Sequence, residues 1–178
     1  FETMLSTIAV DSGKWYAEGK VDNHSSVTLF GIIDNDQWTN QASGYHITGD
    51  MTNSFSYAND GRLVNAGDTE GWGSTYTTND IIGIGMDLTN NKLYFSKNGT
   101  WQNSANPSTG TNGVTIADKL FHFAITNRTS DFTSFNFGNA PYTISSGNTD
   151  ENGYGNFEYA VPSGFLSLCT ANISEVLG

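Results

Sequence analysis

Four acidic residues, Glu18, Asp50, Asp87 and Glu158, are the groups with which this chain could cut a glycosidic bond. That reaction needs two carboxyl groups facing each other across the bond. No short spacing sets two of them face to face, and no Glu-x-Asp-x-Glu run lies along one strand. Asp87 stands just before a turn, where its side chain is expected to cap backbone amides. His24, His46 and His122 lack metal-ligand spacing, and no serine has a nucleophile-elbow context. Gly83-x-Gly85 lacks the further glycine and lysine of a phosphate loop. An enzyme is not expected.

Binding chemistry is better represented. The segment Asp34-Asn35-Asp36-Gln37-Trp38-Thr39-Asn40 combines carboxylates, amides and an indole, which suits a sugar held by an aromatic face and by hydrogen bonds to its hydroxyls. It also reads as a capped turn whose Trp38 tucks into the edge of the core. Asp34-x-Asp36 begins as a calcium loop does but lacks the later glycine and glutamate, so calcium stays open as the one cofactor. Tyr45, Tyr57, Arg62, Trp72 and Tyr76 lie on or beside predicted loops, where Tyr and Trp give large contact area and Arg gives directional donors. For each of these aromatics, filling the end of the core is the plainer reading. Cys169, within Phe165-Leu166-Ser167-Leu168-Cys169, is expected to be a small buried apolar residue.

Composition narrows the partners. The 178 residues suit one domain, expected to be part of a longer chain. Net charge is −11, and the seven basic residues form no run. A nucleic-acid backbone or an anionic membrane surface would be repelled. No apolar run approaches the roughly 20 residues of a membrane-spanning helix. Four Asn-x-Ser/Thr sequons, at Asn23, Asn98, Asn127 and Asn172, would suggest glycosylation in a secreted eukaryotic protein and would otherwise be chance products of a chain rich in Asn, Ser and Thr.

The elements that must position these residues are short strands. Segments 15–21, 27–33, 54–58, 62–64, 82–88, 93–96, 121–125 and 132–138 are rich in β-branched and aromatic residues and bounded by turns. Ile82, Ile84, Met86 and Leu88 alternate with Gly83, Gly85 and Asp87, so one face is buried and the glycines let a neighbour approach the other. Asn98-Gly99 and Asp60-Gly61 are hairpin signals. Residues 103–113 and 141–154 read as polar loops, and 174–177 as a short terminal helix. About ten strands with closely spaced turns predict an all-β, two-sheet antiparallel sandwich of the jelly-roll kind.

Four separated motifs resemble SPRY domains in the right order. They are Ser12-Gly13-Lys14-Trp15-Tyr16-Ala17-Glu18, the hairpin from Tyr57 to Gly67, the pair Asp80–Leu88 and Leu93–Gly99, and Phe135-Asn136-Phe137-Gly138. The resemblance covers about residues 12–140, with 141–173 as a closing segment of the same domain. It implies a concanavalin-like β-sandwich that binds through loops at one end, near the Tyr57 hairpin and Glu70-Gly71-Trp72-Gly73. Asn106–Gly113, Gly153–Phe165 and Pro162-Ser163-Gly164-Phe165-Leu166-Ser167-Leu168-Cys169-Thr170-Ala171-Asn172 resemble segments of SPRY-like proteins of tailed bacteriophages. This second resemblance implies a tail-fibre, spike or capsid-fibre module at the virion surface, forming a homo-oligomer. Its expected partner is a host-surface glycan or protein. The alternative is a decoration or assembly domain that contacts only other virion proteins.

Overall fold

A computed structural model of the chain describes residues 1–40, 47–69 and 71–176. In chain order its elements are β1 (Glu2–Leu5), β2 (Lys14–Asn23), β3 (Thr28–Asp34), α1 (Asn35–Asn40), β4 (Ser54–Ala58), β5 (Leu63–Val64) and β6 (Asp68–Thr69). There follow β7 (Ile81–Asp87), β8 (Lys92–Lys97), β9 (Thr100–Trp101), β10 (Val114–Thr115), β11 (Phe121–Asn127), β12 (Phe132–Asn136), β13 (Leu166–Ser167) and α2 (Thr170–Val176). The all-β class with two antiparallel sheets is the expected one. Two compact units emerge, each assembled from separated stretches of chain.

The first unit comprises Phe1–Asp11, Val21–Asp80 and Ala117–Thr133. Its sheet runs β1-β11-β3-β4-β5-β6. Register aligns Ile125 with Phe30 and Phe30 with Tyr57, and one residue pair along it aligns Phe123 with Ile32 and Ile32 with Phe55. These six large side chains share one buried face. Much of the other face is small or hydroxylated, with Ala124, Gly31 and Ser56 in one row and Thr126 and Ala58 flanking Leu29 in the next. A Cβ on Gly31 would fall 1.8 Å from the Phe55 carbonyl oxygen, so glycine is required there.

Residues 47–50 lie over that small-residue face as a strap. Thr48 reaches the hydroxyl of Thr126 with both its amide (2.9 Å) and its own hydroxyl (2.8 Å). Ser56 donates to the Thr48 carbonyl (2.8 Å), and the Gly49 amide donates to the Ser54 hydroxyl (2.7 Å). The Ser and Thr residues inside these strands are therefore the anchors of the strap, each satisfying a buried polar group.

The second unit comprises Ser12–Lys20, Ile81–Ile116 and Ser134–Gly178. Its sheet runs β10-β8-β7-β2-β12, with β9 added beside β8 and β13 beside β2. The Asn98-Gly99 turn has positive φ at both residues, as a two-residue hairpin turn requires. Gly83 and Gly85 sit between Tyr16 and Glu18 on β2 and Tyr94 and Ser96 on β8. The expected close approach is realised. A Cβ on Gly85 would meet the Phe165 ring at 3.2 Å, and one on Gly83 would meet the Ser96 hydroxyl at 2.4 Å. Phe157 and Phe165, from the closing segment, fill this shallow face against Tyr16 and Tyr94. Tyr16 meets Phe157 edge-on at 5.1 Å.

Candidate binding surface

The residues singled out by sequence divide into builders and rim. Tyr57 and Tyr76 are buried, at 0% and 3% exposure, so neither presents a ring outward. Their rings pack at 5.1 Å, and the Trp72 ring packs edge-on against Tyr57 at 5.4 Å. Tyr57 donates its hydroxyl to the Ser74 carbonyl, while the Tyr76 hydroxyl lies 2.8 Å from the carbonyl oxygens of both Thr28 and Tyr57. Burial first, and then the charges of Tyr57 and Asp60, push the Tyr76 phenol well above its ordinary value. The two tyrosines thus pin the 71–76 segment to the β4–β5 hairpin. Gly73 donates to the Gly61 carbonyl at 2.9 Å, and a Cβ on Gly61 would fall 2.5 Å from the Gly73 oxygen. Trp72 is half-buried on top of this packing.

Asp34, Asp36 and Trp38 do not lie on an open loop. Asp34 closes β3 and is buried, and Asp36 and Trp38 belong to the six-residue helix α1. Asp34 accepts the Asp36 amide at 3.1 Å and the Asn53 side-chain amide at 3.4 Å, which is helix capping. Asp36 is exposed and lies 3.9 Å from the Lys119 ammonium. The capped-turn reading describes this segment, and among the described residues no group of three His, Cys, Asp or Glu is placed to hold a metal. Tyr45 lies outside the described residues.

Arg62 leads to a surface that the sequence did not reveal. Two adjoining depressions of about 470 and 230 Å³ share Phe1 and Ile47 on the strap side of the first unit. Val27, Leu29 and Val64 form an apolar floor, and Asp50 and Arg62 border the smaller depression. Arg128 and Thr129 border the larger. Leu29, Ala58 and Val64 are a compact cluster with Val27 and Ile47 packed against it. The Phe1 ring remains 42% exposed. Both arginines of this acidic chain are therefore at one site. Arg62 is held by Asp60 through Nε at 2.8 Å. Arg128 donates to the Ser26 hydroxyl at 3.2 Å and has no carboxylate partner among the described residues.

The 25–27 turn below Arg128 is fixed by Asp131. Its carboxylate accepts the amides of Ser26 (3.1 Å) and Val27 (2.7 Å), the Ser25 hydroxyl (2.9 Å) and the Ser25 amide. Burial pushes its pKa up, but these donors outweigh that and hold it below the usual carboxylate range. Phe1, Val27, Leu29, Ile47 and Arg128 were not singled out by sequence. They come from separate segments that strand pairing and the hydrogen-bonded strap bring together.

The acids considered for hydrolysis have structural partners. Glu18 is buried and accepts the amides of Glu158 (3.0 Å) and Tyr159 (2.8 Å), the Tyr16 hydroxyl (3.1 Å) and the Asn136 side-chain amide (3.4 Å). Desolvation prevails over these four bonds and raises its pKa. The Glu158 carboxylate instead receives the amide and hydroxyl of Ser145. Asp87 pairs with Lys14 at 3.0 Å and caps Asn90. Asp50 borders the smaller apolar depression, in the other unit. His122 bridges the Ser6 carbonyl and the Asn35 side chain. Cys169 is half-buried, not fully buried, with Sγ 3.6 Å from the Ser167 hydroxyl.

The scaffold is all-β, its titratable groups fasten loops, and an apolar depression lies on one sheet face. The chain belongs to the SPRY domain family, whose pattern matches residues 14–140. Over 62 residues it is 39% identical to the Ran-binding proteins 9/10 homolog of Drosophila melanogaster, covering 35% of this chain and 5% of that protein. The chain therefore spans only a small part of that curated relative. A crystal structure of a human SPRY domain is similar with a TM-score of 0.55 and 20% identity, covering 75% of this chain and 82% of that one, a likeness of fold. SPRY domains are in general protein-interaction modules.

Proposed function

We propose that the chain is a non-catalytic recognition module that takes a protein segment into the depression floored by Val27, Leu29 and Val64. The observation that carries this reading is the gathering of both arginines around an apolar floor in a chain of net charge −11. Interfaces are built from such a desolvated apolar centre with arginine at its border. The partner segment then carries an apolar side chain flanked by acidic ones. Selection of a random peptide library on the intact chain tests it. Enriched peptides of that composition, bound at least tenfold more weakly by Arg128→Ala, are expected. No enrichment, or equal binding by the variant, would overturn it.

In this reading the module belongs to a virion appendage, with a host-surface protein or glycan as the target, and the likeness of the closing segment to tailed-phage proteins is what supports it. Fluorescently labelled protein applied to a panel of bacterial cells, untreated, protease-treated or periodate-treated, separates the targets. Protease-sensitive attachment supports a protein and periodate-sensitive attachment a glycan. The assembly reading draws on the exposed Met4 and Phe132, at 48% and 62%, on strands at sheet edges, where another virion protein would cover them. Attachment to no cells together with self-association or capture by virion proteins would favour it.

A further inference from the structure

The second unit holds a different kind of cavity. Across its sheet, register sets Lys14 on β2 opposite Asp87 on β7, and Asp87 opposite Lys92 on β8. Thr115 on β10 extends the row beyond Lys92. Above the row is a cavity of about 360 Å³ lined by Lys14, Asn90, Lys92, Ser108, Thr109 and Gly110. Asp87 neutralises one lysine, pairing with Lys14 at 3.0 Å. The Lys92 ammonium donates to the Thr115 hydroxyl at 2.8 Å and has no carboxylate partner among the described residues. The row thus carries one net positive charge in an acidic protein.

The opposite wall is held ready. Asn106 and Thr111 form a two-way bridge, each amide donating to the other's carbonyl at 3.0 Å. The Ser108 amide donates to the Asn106 side chain at 3.1 Å, and the Thr109 and Thr111 hydroxyls lie 3.0 Å apart. Ser108 Oγ accepts the Ser163 amide at 3.2 Å, which leaves its proton for an acceptor in the cavity. Beneath this loop, next to Gly113, the buried Tyr94 hydroxyl has no hydrogen-bond partner among the described residues.

We propose that this cavity binds an anionic, polyhydroxylated ligand of about one sugar ring, a hexuronate in chemical class. Its carboxylate sits at the Lys92 ammonium and its ring hydroxyls meet Ser108, Thr109 and Asn90. The volume lies at the small end of ligand pockets. The lining supplies charge and hydroxyls and no aromatic wall, which disfavours an apolar peptide side chain. A charge-assisted bond to lysine supplies the strength, and the hydroxyl wall supplies discrimination. This site is independent of the protein-binding depression in the first unit.

The test is an amide-resolved NMR titration of the full chain with sodium D-glucuronate, D-glucose and inorganic phosphate. Saturable shifts at Lys92 and residues 108–110 with glucuronate, at least tenfold weaker with glucose and with phosphate, are expected. Lys92→Met is expected to weaken glucuronate about tenfold while leaving the spectrum of the free protein dispersed, and Ser108→Ala to weaken it about threefold. No saturable glucuronate shift at these amides would overturn the proposal. So would phosphate binding as tightly as glucuronate, or both variants binding like the parent.

Discussion

Two stretches of irregular chain each cover one face of a sheet, and they are fastened by different chemistry. In the second unit the closing segment is held by buried carboxylates. Glu18 takes two of its backbone amides at 2.8 and 3.0 Å, and Asp150 takes the Ser167 amide and hydroxyl, the Asn172 side-chain amide and the Tyr154 amide at 2.7–2.9 Å. Aromatic rings fill the space beneath, leaving the face closed. In the first unit the strap is held by neutral hydroxyls on Thr48, Ser54, Ser56 and Thr126. Beside it the apolar floor of Val27, Leu29 and Val64 remains open. The charged fastening closes its face; the uncharged one leaves a depression beside it.

That contrast is broken most strongly at Asp150, which is 5% exposed. Asp150→Ala leaves several buried donors without an acceptor and is expected to cost on the order of 3 kcal/mol, read by urea unfolding. Gly49→Ala tests the strap. Gly49 has φ +102°, and a Cβ would meet Ser56 Oγ at 2.6 Å and the Val64 carbonyl oxygen at 2.9 Å. Its expected cost is about 2 kcal/mol. Arg128→Ala, on the exposed border, is expected to change stability by less than about 0.5 kcal/mol.

The two carboxylates also titrate in opposite senses. Burial pushes Asp150 up, but its donors prevail and its pKa falls below 3.8. Its stabilisation is present above that ordinary value and is lost as pH falls through the lower folded one. Glu18 is raised above 4.5. Its contribution is present below 4.5 and is lost as pH rises through the folded value. Asp150→Asn should therefore remove part of the loss of stability below pH 3.8, and Glu18→Gln part of the loss above pH 4.5. Unfolding free energies from pH 2.5 to 7 check both signs.

The β7–β8 hairpin was legible because its information is local, strict alternation followed by Asn98-Gly99. Gly83 and Gly85 announced a close neighbour, though not that the neighbour would be Phe165. Helix α1 was not legible, since six residues are too few to show a helical period. Tyr57 and Tyr76 have the residue types of a contact surface but are buried pillars of the hairpin, a distinction that burial alone makes. The role of Glu18 was hidden because its acceptor function is met by backbone amides 140 residues away or more. The apolar depression was hidden for the same reason. Phe1, Val27, Ile47 and Arg128 are unremarkable until strand pairing and the strap gather them.

The most direct test of the open-face claim is amide hydrogen exchange of the intact chain with and without a library-selected peptide. Protection concentrated at residues 47–50, 62–64 and 128–129 is the result expected. Protection confined to residues 145–167, with none at the strap, would contradict it.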